Sequence, residues 1–149
     1  AKEAGAHVIT TASAKNHALL KKIGADEVID YHTTNFAEVL TDVDLVFDTM
    51  GGEVQKNSFD VLKPNTGRLV SIVGIEDKQL AAEKNVSAES IWLQPNGEQL
   101  QKIADLMAAG KVKSIIGEVF PFSRQGIYDA HALSETHHAV GKIVVQMAE

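Results

Sequence analysis

The 149-residue sequence contains no cysteine, which excludes a disulfide framework and any thiolate metal site. It also fits a cytoplasmic location. No apolar run approaches the length of a membrane span, and the opening residues do not read as a signal peptide. There is no internal repeat and no low-complexity segment. Nor is there a basic excess: the formal net charge is −6, so neither nucleic-acid phosphates nor an anionic membrane is an expected partner. A small-molecule substrate is. No G-x-S-x-G nucleophile elbow occurs, and no Ser–His–Asp order suggests nucleophilic catalysis. No side chain presents itself as catalytic. The six histidines do not suggest a metal either. His137 and His138 are adjacent and cannot share a helical face. His131 lies six residues before His137, which is not the i, i+4 spacing of a helical zinc pair.

What is present is ordinary for a globular domain: hydrophobic residues are 44% and charged residues 23% of the chain. Short apolar runs alternate with amphipathic segments, the pattern of a parallel sheet covered by helices. Strands are expected at 7–11, 28–31, 43–50 and 67–74, with a fifth at 90–94. The run at 43–50 is nearly all apolar apart from its aspartates, as in a strand buried on both faces. The first helix is expected over 15–23, with Ser13 able to cap it, Ala18, Leu19, Leu20 and Ile23 inward, and Gly24 as the stop. Asn35 and Glu38 form a candidate capping box. In the helix after Gly52, Val54, Ser58, Val61 and Leu62 lie on one face, and Pro64 ends it. Asn96 caps a further helix, with Leu100, Ile103, Ala104 and Met107 facing inward and Gly110 closing it. The rhythm then breaks. Residues 112–122 are extended, 123–138 helical, and 141–147 a last strand. A boundary is placed near Lys113.

Such strand–helix units suit a dinucleotide-binding fold, yet no G-x-G-x-x-G occurs in the chain. That loop and its preceding strand would come first in such a fold. The chain is therefore expected to be a piece of a longer enzyme. The tip of the first strand, TTASAKN at 10–16, carries no acid. An acid there would take the adenosine ribose hydroxyls. Ser13, Lys15 and Asn16 instead offer a hydroxyl, an ammonium and an amide, which suit a 2′-phosphate. The bland alternative leaves Ser13 as a helix cap and Lys15 as a solvated side chain. Two further strands end in small residues: Thr49, Met50, Gly51 and Gly52 after one, Val73 and Gly74 after the other. Glycine there lets a backbone approach a ligand closely, and ligands of open α/β sheets collect at these carboxyl ends. Asp44 and Asp48 share a strand face, where one of them can hold a ribose or a backbone amide.

Four segments taken in order carry a family likeness: GADEVIDY at 24–31, VDLVFDTMGG at 43–52, LKPNTGRLVSIVG at 62–74, and GKIVV at 141–145. They resemble the medium-chain dehydrogenase/reductase superfamily, and within it the zinc-independent quinone oxidoreductase-like branch, often called zinc-binding dehydrogenase. The resemblance implies a Rossmann-type parallel sheet lacking its first strand, over residues 1–112. Residues 113–149 would return to a catalytic domain. It further implies an oxidoreductase that passes hydride from NADP(H) to a quinone or to an activated alkene or carbonyl. Ser13, Lys15 and Tyr31 would meet the 2′-phosphate, and Val73 and Gly74 the nicotinamide end. Lys142 would be a weaker contact. No zinc is expected in this segment.

A methyltransferase-type Rossmann domain is the alternative, because residues 62–69 resemble a strand entry of that class. It would need an acid at the tip of the first strand, where Ala12 and Ser13 stand. A domain inactive in isolation is also compatible with the sequence. A sheet without its central strand would leave bare edges at 8–11 and 45–50. Either the half-sheets close directly or a second chain covers them, so a homodimer is expected.

Overall fold

The alternation of short strands and helices is realised in a computed structural model that describes residues 1–147. Contacts group the chain into two units, Ala1–Pro95 and a second beginning at Asn96. The first holds β1 (Ile9–Thr11), α1 (His17–Lys22), β2 (Glu27–Ile29), α2 (Phe36–Val39), β3 (Leu45–Asp48), α3 (Gly52–Val61), β4 (Arg68–Ser71), α4 (Lys78–Glu83) and β5 (Ser87–Ser90). All ladders in it are parallel. β1 pairs with β2, and β3, β4 and β5 form a separate sheet in that order. This is the expected parallel α/β class. β1 and β3 share no ladder, so the two half-sheets do not close directly.

The core of this unit lies between α3, β4 and α4. Phe59, Leu62, Leu69 and Ala81 are buried, with Val43, Val46, Ile75, Leu80, Val86 and Ala88 packed around them. The inward face of α3 is Gln55, Ser58 and Phe59, continued by the buried Leu62 just past its end. That is the i, i+3, i+4, i+7 stripe of an amphipathic helix. Val54, expected on this face, is exposed instead. β3 is buried on one side only. Val46 and Asp48 turn inward, while Leu45 and Phe47 are more than half exposed.

Several local expectations are corrected. The helix expected from Lys15 opens as a 3₁₀ turn at Ala14–Asn16 and becomes α-helical only at His17. Ser13 makes no side-chain cap bond; its hydroxyl accepts from the Asn16 side-chain amide at 3.3 Å. Asn35 does cap α2, its side-chain oxygen accepting from the Ala37 amide at 3.1 Å. Glu38, however, bonds the Asn35 side chain, so the pair is not a reciprocal capping box. The fifth strand lies at Ser87–Ser90 rather than at 90–94, because its register with β4 runs from Arg68↔Ser87 to Ser71↔Ser90. Ile91, Trp92 and Leu93 come after this ladder ends and are exposed. Helix α4, capped by Asp77 onto the Leu80 amide at 2.8 Å, was not signalled by an apolar stripe.

The second unit contains α5 (Gly97–Ala108), β6 (Ile116–Pro121), α6 (Arg124–Glu135) and β7 (Lys142–Gln146). Asn96 caps α5 by accepting from the Gln99 amide at 2.9 Å, as its spacing requires. The apolar stripe of α5 is not inward: Leu100, Ile103 and Met107 are exposed. β6 and β7 pair in parallel, with α6 packed on both. Ser123 caps α6 onto the Gly126 amide at 3.0 Å. At Gly126 the helix runs so close to β6 that a Cβ would collide with the Pro121 carbonyl oxygen. Ala130 is buried on the same helix.

Leu69 is fully buried at the centre of the first unit. Leu69→Ala should lower unfolding free energy by about 2–5 kcal/mol, read by denaturant titration with an unchanged slope.

Candidate functional site

Parallel pairing places the carboxyl ends of neighbouring strands side by side, and two such pairs carry the residues singled out in the sequence. The first pair is β1 and β2, aligned so that Thr11 faces Ile29. The Ala12 amide continues the ladder to the Ile29 carbonyl at 2.9 Å. Ser13, Lys15 and Asn16 follow β1 directly, and Tyr31 follows β2. The four thus stand at the same end of one ladder. Asp30 shapes the β2 turn by accepting from the His32 amide at 3.0 Å. Tyr31 is half exposed, its ring centroid 4.3 Å from that of His32. Lys15 is exposed and, among the described residues, has no ion pair. This tip carries no acid at 10–16.

The second pair is β3 and β4, with Asp48 opposite Ser71. The Ile72 amide adds one more bond, to the Asp48 carbonyl at 3.1 Å. Thr49 and Met50 are exposed, and Gly51 and Gly52 turn the chain into α3 with φ of 69° and 54°. Gly74 has φ of 101°. Side chains other than glycine's rarely adopt these angles. A Cβ on Gly51 would also lie 3.0 Å from the Glu76 carboxylate. That carboxylate accepts from the Gly52 amide at 2.8 Å.

Between the tips of β3 and β4 lies a buried polar cluster. Asp48, Gln55 and Ser71 are 3%, 1% and 0% exposed. One Asp48 oxygen accepts from the amides of Met50 and Gly51, each at 3.0 Å. The other accepts from the Gln55 side-chain amide at 2.7 Å and from the Ser71 hydroxyl at 2.8 Å. Ser71 in turn accepts from the Val73 amide at 3.1 Å. Gln55 also donates to the Gly74 carbonyl at 2.7 Å and accepts from the Glu76 amide at 3.0 Å. Every buried side-chain polar atom among the described residues has a partner. Burial is the largest single influence on the Asp48 carboxyl and raises its pKa. The bonds from Gln55, Gly51, Met50 and Ser71 together outweigh burial and hold it below its ordinary value.

Asp48 does what one strand aspartate was expected to do, binding backbone amides. Asp44 is exposed and pairs with Lys63 at 2.6 Å. Thr49, Gly51, Val73 and Gly74 are brought together at one end of β3–β4; Ser13, Lys15, Asn16 and Tyr31 at one end of β1–β2. Lys142 opens β7 in the second unit, its amide bonded to the Ile115 carbonyl at 2.7 Å. Among the described residues no three His, Asp or Glu side chains gather as a metal site. No described helix is long and apolar enough to cross a membrane. The sequence reading missed Gln55, Ser71 and Glu76. The available signal was a glutamine at a core-facing position of α3, where its neighbours on the stripe are Ser58, Phe59 and Leu62.

The zinc-binding dehydrogenase family model matches residues 23–145. The chain belongs to that family. It lies in the medium-chain dehydrogenase/reductase superfamily and is similar to the quinone oxidoreductase-like branch. The chloroplast envelope quinone oxidoreductase homolog of Arabidopsis thaliana is 33% identical over 98% of this chain and 46% of its own length. The NADPH-dependent alkenal/one oxidoreductase of the same plant is 30% identical over 93% of this chain and 33% of its own. Among solved structures, the quinone oxidoreductase from Coxiella burnetii superposes with a TM-score of 0.87 at 37% identity, covering 99% of this chain and 47% of that one. The chain thus spans half or less of the length of these zinc-binding dehydrogenase relatives. Their names favour oxidoreductase over methyltransferase.

The Asp48 cluster gives a pH signature. Its folded pKa is depressed, so its contribution to stability is full above the unfolded value of about 3.9 and is lost as pH falls through the folded one. Asp48→Asn keeps one carbonyl oxygen for two sets of donors. It should cost about 1–3 kcal/mol at pH 7. Its deficit against the unaltered protein should shrink below about pH 4, as measured by denaturant unfolding across pH.

Proposed function

We propose that this chain is a fragment of an NADPH-dependent oxidoreductase that reduces a quinone or an activated alkene or carbonyl, and that it carries part of the dinucleotide-binding domain. The observation that carries the proposal is the acid-free tip of β1, with Ser13, Lys15 and Asn16 at the same ladder end as Tyr31. A carboxylate there would repel a 2′-phosphate; an ammonium, a hydroxyl and an amide attract one. The names of the similar proteins support it, one being a quinone oxidoreductase, one a quinone oxidoreductase homolog and one an NADPH-dependent alkenal/one oxidoreductase.

The residues present fit such a cofactor at its two ends. Lys15 and Ser13, with Asn16 and Tyr31, hold the 2′-phosphate. At the other end, Gly74 leaves open backbone beside Val73, with Thr49 and Gly51 at the neighbouring strand tip, while Met50, Ile72 and Val73 offer exposed apolar surface. That combination suits a flat ring with a polar edge. When bound, the cofactor supplies hydride; the chain's own part is to hold, orient and exclude water. The pyrophosphate has no cradle among these residues, because no G-x-G-x-x-G occurs. Residues 1–112 are assigned to the partial dinucleotide-binding domain and 113–149 to the catalytic domain. A cytoplasmic location is compatible with the absence of cysteine, and the exposed Leu45 and Phe47 of β3 support a homodimer of the isolated chain.

In the full-length protein, Lys15→Ala should weaken NADPH by about 10- to 100-fold, the worth of a charge-assisted contact. NADH should be nearly unaffected. Equal losses for both cofactors in a binding titration would refute the assignment.

The isolated 149-residue chain should turn over no quinone with NADPH, for want of a pyrophosphate cradle. It should sediment as a dimer at micromolar concentration. Turnover, or a stable monomer, would each remove the corresponding statement.

A further inference from the structure

We propose that Gln55 is a positioning residue that locks the tips of β3 and β4 into one rigid ledge, and that this ledge sets the affinity for the nicotinamide end of the cofactor. The proposal rests on the dinucleotide assignment above and adds to it a residue that does not itself face the ligand. Gln55 is 1% exposed. It reaches both tips, as Ser71 also does through Asp48 and the Val73 amide: Gln55 bonds Asp48, which holds the Met50 and Gly51 amides, and the Gly74 carbonyl and Glu76 amide of the β4 loop.

Its amide can be oriented in one way only. The Asp48 carboxylate and the Gly74 carbonyl are pure acceptors, and the Glu76 amide is a pure donor. The NH₂ must therefore face the first two and the oxygen the third. Its two N–H groups are used by the two 2.7 Å contacts; the Ser71 hydroxyl at 3.4 Å is marginal. Every strong valence of the side chain is thus spent on joining the tips. A second tie runs the same way, from the Gly52 amide to the Glu76 carboxylate. Both loops contain glycines in left-handed backbone, which on their own would leave them loose. Loops held by a connected polar network move together, and a ligand that meets both pays less to order them.

The test uses the full-length protein with Gln55→Met, which keeps the volume and removes the bonds. Hydrogen exchange should show the Glu76 amide, a direct partner, released. The Met50 and Gly51 amides, which Gln55 does not touch, should exchange about tenfold faster, in line with loss of a charge-assisted bond. The dissociation constant for NADPH should rise by at least a similar factor, at temperatures where the variant is folded. Val61→Ala, a truncation elsewhere in the same core, should lower the melting temperature and leave both readouts unchanged. If Gln55→Met folds poorly, Gln55→Glu supplies the answer. It keeps an acceptor for Glu76 and turns the donor toward Asp48 into a repelling oxygen, so Met50 and Gly51 should be released with Glu76 still protected. Unchanged exchange at Met50 and Gly51 in whichever variant folds overturns the proposal. So does NADPH affinity retained with both loops released. Failure of the unaltered protein to bind NADPH overturns the cofactor assignment, and this proposal with it, even if the loops are coupled.

Discussion

A buried carboxylate with four donors around it is the constraint on which this end of the molecule depends. Asp48 could not stay charged where it lies without the Met50, Gly51, Gln55 and Ser71 bonds, since an unpaired buried charge costs far more than the sheet could return. Once those bonds are in place, much else follows. Asp48 must sit opposite Ser71, so the β3–β4 register is set. The chain must turn at once after β3, so Gly51 and Gly52 stand there. Helix α3 must begin close enough for Gln55 to reach back, so the crossover is short. The apolar core beneath, from Phe59 to Ala81, then packs on elements whose positions are already specified.

The two strand-end clusters differ in character. The end of β3–β4 is rigidly bonded inside and presents apolar side chains outside. The end of β1–β2 is looser: a 3₁₀ turn with no side-chain cap, an exposed lysine and a half-exposed tyrosine. A ring that must be aligned for reaction needs the first kind of surface. A charged phosphate, recognised at longer range by compact charges, is served by the second. In the proposed reading, the β3–β4 end takes the ring and the β1–β2 end takes the phosphate.

The class of the fold was legible because parallel strands and crossover helices leave a period in the sequence. The caps at Asn35 and Asn96, and the glycines after β3 and β4, were legible because each answers a backbone requirement at one residue. What escaped had no such local signature. The expected strand at 90–94 looked apolar enough, yet bonding to β4 ends with the Ile91 amide on the Ser71 carbonyl, and only the partner's register sets that limit. The inward faces drawn for α5 and for Val54 assumed neighbours that periodicity alone does not provide. Ser13 has a capping residue's chemistry but not its bond, because the turn it opens is 3₁₀. Gln55 was invisible for the opposite reason: a polar residue on an apolar stripe gains its meaning from Asp48, seven residues away in sequence and on another element.

The ladders carry a kinetic meaning as well. Each pairs strands that follow one another in the chain, β1 with β2, β3 with β4, β4 with β5, and β6 with β7. Among the described residues, no ladder joins strands from distant parts of this sequence. The entropy of closing a loop therefore enters each pairing only at the length of one crossover, and grows slowly with that length. The pairings here can nucleate separately and early, and local opening of one need not open the others.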